Sequence, residues 1–494
     1  MPFYPPSPNC LQNIQRFVVL MLENRSFDHL LGFQGMQGVE VDGLTGAQGN
    51  LQNPADPNSP RIGVSRATAY SMPFDPNHEF MDVQEQLYAP GAPPAGAITM
   101  GGFVASALAA ASSATDAARV MEGYYPEQLP ALSALVKEAA VFNYWHSSLP
   151  GPTWPNRFYV HAGTSGGLTD SPTTAQILRG YQFPRGILYD RLGKSNWRIY
   201  HDGMPQSAGI DSLRGEYIDP LTSNFKSMAD FAADAASGKL PAYTFIEPNY
   251  DTGNNYVGGD SMHPLNDIRK GEALLKAVYE AVRQSPIWAS TMLIVTFDEH
   301  GGFYDHVVPP ATVATGDDAR YADNPPRFDF RLLGARVPAL VVSAYTQPGS
   351  VVGTAPENSA AIFDHTSILK TVEDRFGLAP LTQRDANANS LAVALNLGAP
   401  RTDAPATLPD PLTDAQAAQL ATQAIVNRPP SGKGLSSNQQ SLVDLALRCQ
   451  LDMADSTQEG ALQSEHAAVT TQGAAAGYLE RFEAKMAQRR RTGR

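Results

Sequence analysis

Short unbroken apolar runs, with little strict alternation, dominate the pattern of this 494-residue chain. Residues 17–22 (FVVLML) run into Glu23 and Asn24, and residues 292–297 (MLIVTF) run into Asp298 and Glu299. A strand covered on both faces needs no polar alternate positions, so runs of this length read as buried parallel strands. Residues 337–342 (VPALVV) form a third, which Pro338 places at a sheet edge or a strand start. Weaker runs at 197–200 and 242–246 lead into His201 and Glu247. Helical periodicity fills the intervals. Ile268, Leu275, Val278 and Val282 share one stripe, and Ile368, Leu369, Val372 and Phe376 share another that Gly377 can stop. Strands alternating with helices predict an α/β sandwich, with helices flanking a mostly parallel central sheet.

The pattern changes at two places. Residues 91–118 are rich in Ala, Gly and Ser and read as an insertion or lid. The Pro-rich stretch 400–411 reads as a linker, with helices expected at 413–426, 441–451 and 473–489. The expected division is therefore a core domain over 1–399 and a linker with a small helical C-terminal extension over 400–494.

Composition narrows the function classes. With 43% hydrophobic and 17% charged residues the chain is globular, and 41 Gly and 39 Pro make it loop-rich. A formal charge of −13 argues against holding nucleic acid by phosphate neutralisation. The dense basic run Arg489, Arg490, Arg491 and Arg494 reads as a solvated tail. Cys10 and Cys449 give no disulfide framework and are expected as reduced thiols. The amino-terminal residues lack the charged start and apolar core of a cleavable signal, and 17–22 is too short to span a bilayer. The expected location is cytoplasmic, or outside the cell by a signal-independent route.

In open α/β sheets ligands bind beyond the carboxyl ends of the strands. Strands ending in Glu-Asn and Asp-Glu would aim four oxygen-bearing side chains at one crevice. Singly, such endings are ordinary strand-end turns; as a pair they point to a site. Their donors are all oxygen, which suits a hard divalent cation, Ca²⁺, Mg²⁺ or Mn²⁺. Prolines 150, 152 and 155 fix the backbone around Thr153, and Pro155 suits the first turn of a helix with Thr153 or Trp154 near its N-cap. Alone, Thr153 reads as an ordinary cap; a helix N-terminus also suits a hydroxyl that must carry negative charge beside a phosphate. His78, His201 and His263 sit beside polar or turn residues, outside any apolar stripe. Asp364-His365 reads as a capping or wall element. A rival pattern, Gly163-Thr-Ser165-Gly-Gly167, satisfies the serine-hydrolase elbow, with Asp298 and His365 downstream in triad order.

Three stretches carry a family resemblance: Leu22-Glu-Asn-Arg-Ser-Phe-Asp-His29, Gly151-Pro-Thr-Trp-Pro-Asn-Arg157 and Asp298-Glu-His-Gly-Gly-Phe-Tyr-Asp-His306. Together they resemble the bacterial and plant non-specific phospholipase C and acid phosphatase family of the alkaline-phosphatase-like superfamily, from about residue 10 to about 380. The resemblance implies an alkaline-phosphatase-like fold and a phosphoesterase catalytic domain over 1–399. It implies Thr153 as nucleophile and metal neighbour, with a phosphothreonyl intermediate. Glu23, Asn24, Asp298 and Glu299 are implied metal ligands, and Asn24, His78, His201 and His263 implied phosphate contacts. His300, Asp305, His306 and Arg157 are expected to support these from behind. The implied activity is phospholipase C-type cleavage of phospholipids, with acid phosphatase action on phosphomonoesters and a Ser165 esterase as alternatives. The implied partners are a phosphate-ester or phospholipid substrate and a transient membrane-surface contact, with no nucleic acid.

Overall fold

A computed structural model of the chain describes residues 10–67, 69–88, 96–219, 223–317, 328–353, 361–420, 434–454 and 458–492. At its centre is an eight-stranded sheet. In chain order the strands are β1 (Arg16–Leu22), β2 (Ala140–Phe142), β3 (Trp197–Tyr200), β4 (Phe225–Lys226), β5 (Tyr243–Ile246), β6 (Thr291–Phe297), β7 (Ala339–Ser343) and β8 (Ser350–Val352). Across the sheet they lie β8-β2-β7-β6-β1-β5-β3-β4. β7 runs against both neighbours, and the other seven strands share one direction. The sheet is thus mixed but mostly parallel, as expected. Pro338 stands one residue ahead of β7, which lies inside the sheet. It marks a strand start, where its missing N–H is tolerated.

β1 and β6 are central neighbours, and all of β6 and all but Arg16 of β1 are buried. With both faces covered, neither strand shows alternation. Their parallel register pairs Leu22 with Phe297. Glu23-Asn24 and Asp298-Glu299 therefore leave the same sheet edge side by side. Glu247 leaves that edge after β5, and His201 after β3.

Seven helices matter below: α1 (Phe80–Tyr88), α2 (Phe103–Ala110), α3 (Thr153–Ala162), α4 (Ile268–Arg283), α5 (Thr366–Phe376), α6 (Ser437–Met453) and α7 (Gln472–Thr492). α4 buries the expected stripe Ile268, Leu275, Val278 and Val282. α5 ends at Gly377, whose φ of 67° places it in the left-handed region. Of the stretch 91–118, residues 91–95 lie outside the described residues. Phe103 and Val104 of α2 join Val83 and Leu87 of α1, with Phe303 and Tyr304, in a second apolar cluster.

The stretch 400–411 lies along α4. Arg283 Nε donates to Ala404 O at 2.8 Å, Tyr279 Oη to Pro405 O at 2.7 Å, and Lys276 Nζ to Leu408 O at 2.8 Å. Of the helix expected over 413–426, Asp414–Leu420 is helical and 421–426 lie outside the described residues. Leu442 and Cys449 of α6 and Tyr478 and Phe482 of α7 belong to the same apolar core as the sheet. Cys10 and Cys449 are both free and buried. No described helix is long and apolar enough to cross a membrane.

Candidate active site

Thr153 is the first residue of α3, with Pro152 at the N-cap position and Pro155 in the first turn. Proline suits this turn because its missing N–H would have no helical partner there. The α3 N-terminus thus points a hydroxyl at the edge where β1 and β6 end. Thr153 Oγ1 lies 3.5 Å from Asn24 Oδ1. Asn24 has a φ of 57°, a left-handed conformation that asparagine tolerates better than most side chains. Gly301, at φ 64°, makes room for it: a Cβ there would meet Asn24 O at 2.2 Å. Asn24 N donates to Asp298 Oδ1 at 3.0 Å, so the two strand endings are joined directly.

Arg157 lies one helical turn below Thr153. Its Nε donates to Asp298 Oδ2 at 3.0 Å, and its Nη2 donates to Met21 O at 3.3 Å and Leu22 O at 3.1 Å. This clamp fixes α3 against the last turn of backbone in β1. Asp298 Oδ1 also accepts Glu299 N at 2.7 Å, and its backbone carbonyl accepts His365 Nε2 at 2.6 Å. Trp145 Nε1 donates to His365 Nδ1 at 3.3 Å, so His365 is a wall element that holds Asp298.

Glu23 and Glu299 are fully buried, yet neither oxygen of Glu23 and only Oε2 of Glu299 has a hydrogen-bond partner. Burial raises the pKa of Glu23 well above the carboxylate range; Arg157 offsets this, while Asp298 and Glu299 add to it. Burial raises Glu299 as well, against the pull of His78. Buried carboxylates without partners are costly unless a cation or a proton answers them. The donor set fits a hard cation: orphaned oxygens on Glu23 and Glu299, the Asn24 amide, the Thr153 hydroxyl, and one free lone pair on Asp298 Oδ2.

His78 reaches this group. Its Nε2 is 3.0 Å from Asn24 Nδ2 and 3.7 Å from Glu299 Oε1, and its Nδ1 donates to Pro76 O at 2.7 Å. Burial disfavours its charge, but Glu299 and Asp75 outweigh burial and raise its pKa to about 10. The charge and the Asn24 amide are linked. With His78 neutral, Nδ2 donates to Nε2; with His78 protonated, the amide must turn its oxygen to the ring and its NH₂ to Thr153.

His263 Nδ1 accepts from Leu265 N at 3.3 Å, so Nε2 carries the proton and faces Asp75 Oδ2 at 3.5 Å. Its ring stacks on Tyr256 at 3.4 Å and 3°. His201 is differently placed. Nδ1 donates to Gly203 O at 2.6 Å and Nε2 accepts from Arg490 Nη2 of α7 at 2.8 Å. Both ring nitrogens therefore have partners already, and burial together with Arg490 lowers its pKa to about 3.

The remaining members of the third motif face away from Thr153. His300 Nε2 bonds Gln86 Oε1 at 2.7 Å, and its Nδ1 lies 3.6 Å from Glu299 Oε2. Asp305 accepts Arg336 Nε at 2.8 Å, and His306 Nδ1 donates to Asp28 Oδ2 at 2.7 Å. Among the described residues, Asp28, Asp305 and His306 are the group whose ligand atoms come within 4.8 Å of one another. Arg336 fills that space, donating to both Asp28 and Asp305.

The serine-elbow reading is overturned. Ser165 follows the end of α3 at Gly163, where the elbow needs a strand, and its hydroxyl donates to Leu168 O at 2.7 Å. His365 bonds the Asp298 carbonyl and not its carboxylate.

Four side chains near the site carried no sequence signal strong enough to select them. Asp75 shares a turn with His78, and burial raises its pKa to about 6. Tyr256 stacks on His263 from a left-handed φ of 65°. Glu247 accepts Gln206 N, Ser207 N and Tyr250 Oη, and Tyr250 lies under the Arg157 guanidinium at 5.2 Å. Asp75 was within reach of sequence reasoning, because it stands three residues before a selected histidine. The others converge only in three dimensions.

Non-specific phospholipase C6 of Arabidopsis thaliana is 40% identical over 405 residues, covering 80% of this chain and 75% of the relative. Phospholipase C A of Mycobacterium tuberculosis is 28% identical over 477 residues, covering 83% and 82%. A solved structure of a protein in the alkaline phosphatase superfamily from Vibrio parahaemolyticus aligns over 53% of this chain and 64% of its own, at 14% identity and a TM-score of 0.32. The Phosphoesterase family model matches residues 14–379, a span that contains every selected motif residue, and the chain belongs to that family.

Proposed function

We propose that the chain cleaves phospholipids in the manner of a phospholipase C, attacking phosphorus with Thr153 and passing through a phosphothreonyl intermediate. That it hydrolyses phosphoric esters follows from its family. The phospholipid preference rests on relatives named as phospholipases C. The observation that carries the mechanism is the meeting of Thr153, at the N-terminus of α3, with Asn24, which follows Glu23, one of the buried carboxylates whose oxygens lack hydrogen bonds at the ends of β1 and β6.

Glu23, Asn24, Asp298 and Glu299, with Thr153, would hold a divalent cation. When bound, such an ion lowers the pKa of a hydroxyl and polarises phosphoryl oxygens. The chain's own groups do the rest. The α3 N-terminus favours negative charge at Thr153. Thr153 Oγ bonds to phosphorus as the bond to the leaving oxygen breaks, and water later releases the phosphoryl group from the threonine. The Nε2–H of His263 is a donor suited to a non-bridging oxygen, and His78, when it carries a second proton, can deliver it to the leaving oxygen. Arg157 holds Asp298 and α3 in register throughout.

Thr153→Ala tests the reading. Turnover of phosphatidylcholine should fall roughly 10⁴-fold or more, as when other covalent nucleophiles are removed. Near-normal turnover by the variant would refute it. A parallel panel with a phosphomonoester and a simple diester, with and without chelator, tests the substrate class and the cation.

A further inference from the structure

We infer that Asn438, in the first turn of α6, is a positioning residue that ties the nucleophile helix and the His263 wall to one amide. The inference rests on the proposed roles of Thr153 and His263. Asn438 is buried, and its side chain makes three bonds to three separate segments. Oδ1 accepts from Trp154 Nε1 at 2.9 Å and from Gln206 Nε2 at 3.0 Å; Nδ2 donates to Tyr256 Oη at 3.2 Å. An indole nitrogen can only donate, so the amide orientation is fixed: oxygen to Trp154, nitrogen to Tyr256.

Each arm ends beside the chemistry. Trp154 is the residue next to Thr153 on α3, with its indole fully buried. Tyr256 stacks flat on His263. Gln206 is held by Glu247 at the carboxyl end of β5, through its own N–H at 2.8 Å. The amide itself is rigidly mounted. Ser436 and Gln439 form a capping box at the start of α6, and Gln439 Nε2 donates to Thr252 O at 2.9 Å. Residues 251–256 need this support, because Asp251, Asn255 and Tyr256 all have left-handed φ. The C-terminal helical region, on this reading, completes the active site from behind.

The experiment measures kcat and KM with p-nitrophenyl phosphorylcholine, and Tm, for Asn438→Ala, Tyr256→Phe, Gln450→Ala and Thr153→Ala. Asn438→Ala should lower kcat tenfold to about a hundredfold with little change in KM, the size expected when reacting groups shift by about an ångström. Gln450→Ala removes another buried bond of α6, to Tyr478 Oη at 3.1 Å, remote from Thr153. It should lower Tm but leave kcat near wild type. Should Asn438→Ala not fold, Tyr256→Phe decides: it keeps the ring that stacks on His263 and removes only the hydroxyl that accepts from Asn438, so kcat should still fall. Wild-type kcat in folded Asn438→Ala or in Tyr256→Phe overturns the inference, as does an equal kcat loss in Gln450→Ala. Retained turnover in Thr153→Ala instead refutes the nucleophile assignment, whatever the other variants show.

Discussion

Two buried charge clusters grow from the same two chain segments, and they differ in how their charges are answered. Asp28 follows Glu23 by five residues, and Asp305 follows Asp298 by seven. Around Asp28 and Asp305 every carboxylate oxygen has a donor: Arg336 bridges the two, His306 serves Asp28, and backbone amides of Asp28, His306 and Val307 complete the set. Around Glu23 and Glu299, three carboxylate oxygens have no hydrogen bond, His78 stands 3.7 Å from Glu299 Oε1, and Arg157 spends Nε and Nη2 on Asp298 and the β1 backbone. The first cluster is a brace, and the second is the one we propose holds a cation. Closeness of ligand atoms alone would choose the brace as a cation site. The unpaired oxygens favour the other for the cation we propose.

The sharpest break of this comparison is Arg336→Met. It leaves Asp305 without its guanidinium and Asp28 with His306 alone, and should cost about 3–5 kcal/mol of stability in urea unfolding. The protein that stays folded should turn over substrate within a few-fold of wild type. Glu23→Gln should do the reverse. Turnover should fall about a hundredfold or more, while Tm measured in chelator stays level or rises, because a buried partnerless carboxylate is removed. If both substitutions lower stability alike, the distinction between brace and site fails.

The smallest effect is in pH. Burial works against a charge on His306, but Asp28 and Asp42 outweigh it and raise its pKa to about 10. A raised histidine stabilises the fold fully below its unfolded pKa of about 6.5 and loses that contribution as pH climbs through about 10. After screening, the loss should be roughly 1–2 kcal/mol. His306→Gln should flatten this part of a stability-against-pH curve; an unchanged curve would remove His306 from the brace.

Legibility in the sequence followed the range of the interactions. The strands at β1 and β6 were readable because double-sided burial writes an unbroken apolar run, and parallel pairing then brought Glu23-Asn24 beside Asp298-Glu299. β2, with three residues, and β4, with two, are too short to write any pattern. The reversal of β7 was not readable either, since a buried strand has the same composition in both directions. At the site, His78 and Thr153 stood in distinctive local contexts. The commitment of His201 to Arg490 spans 289 positions, and nothing near His201 announces it. The expected boundary at 400 rests on prolines, which report backbone stiffness; whether the next segment packs is decided by partners such as Tyr279 and Arg283 on α4.

The Arg157 clamp has a consequence for how this chain can change. Thr153 and Arg157 are four positions apart, so they share one face of α3. One residue inserted or deleted between them would swing their relative bearing by about 100° and slide it by about 1.5 Å. Either the hydroxyl or the guanidinium would then lose its seat. The interval from 153 to 157 is in effect a fixed gauge: it can accept a change of side chain, but not a change of length.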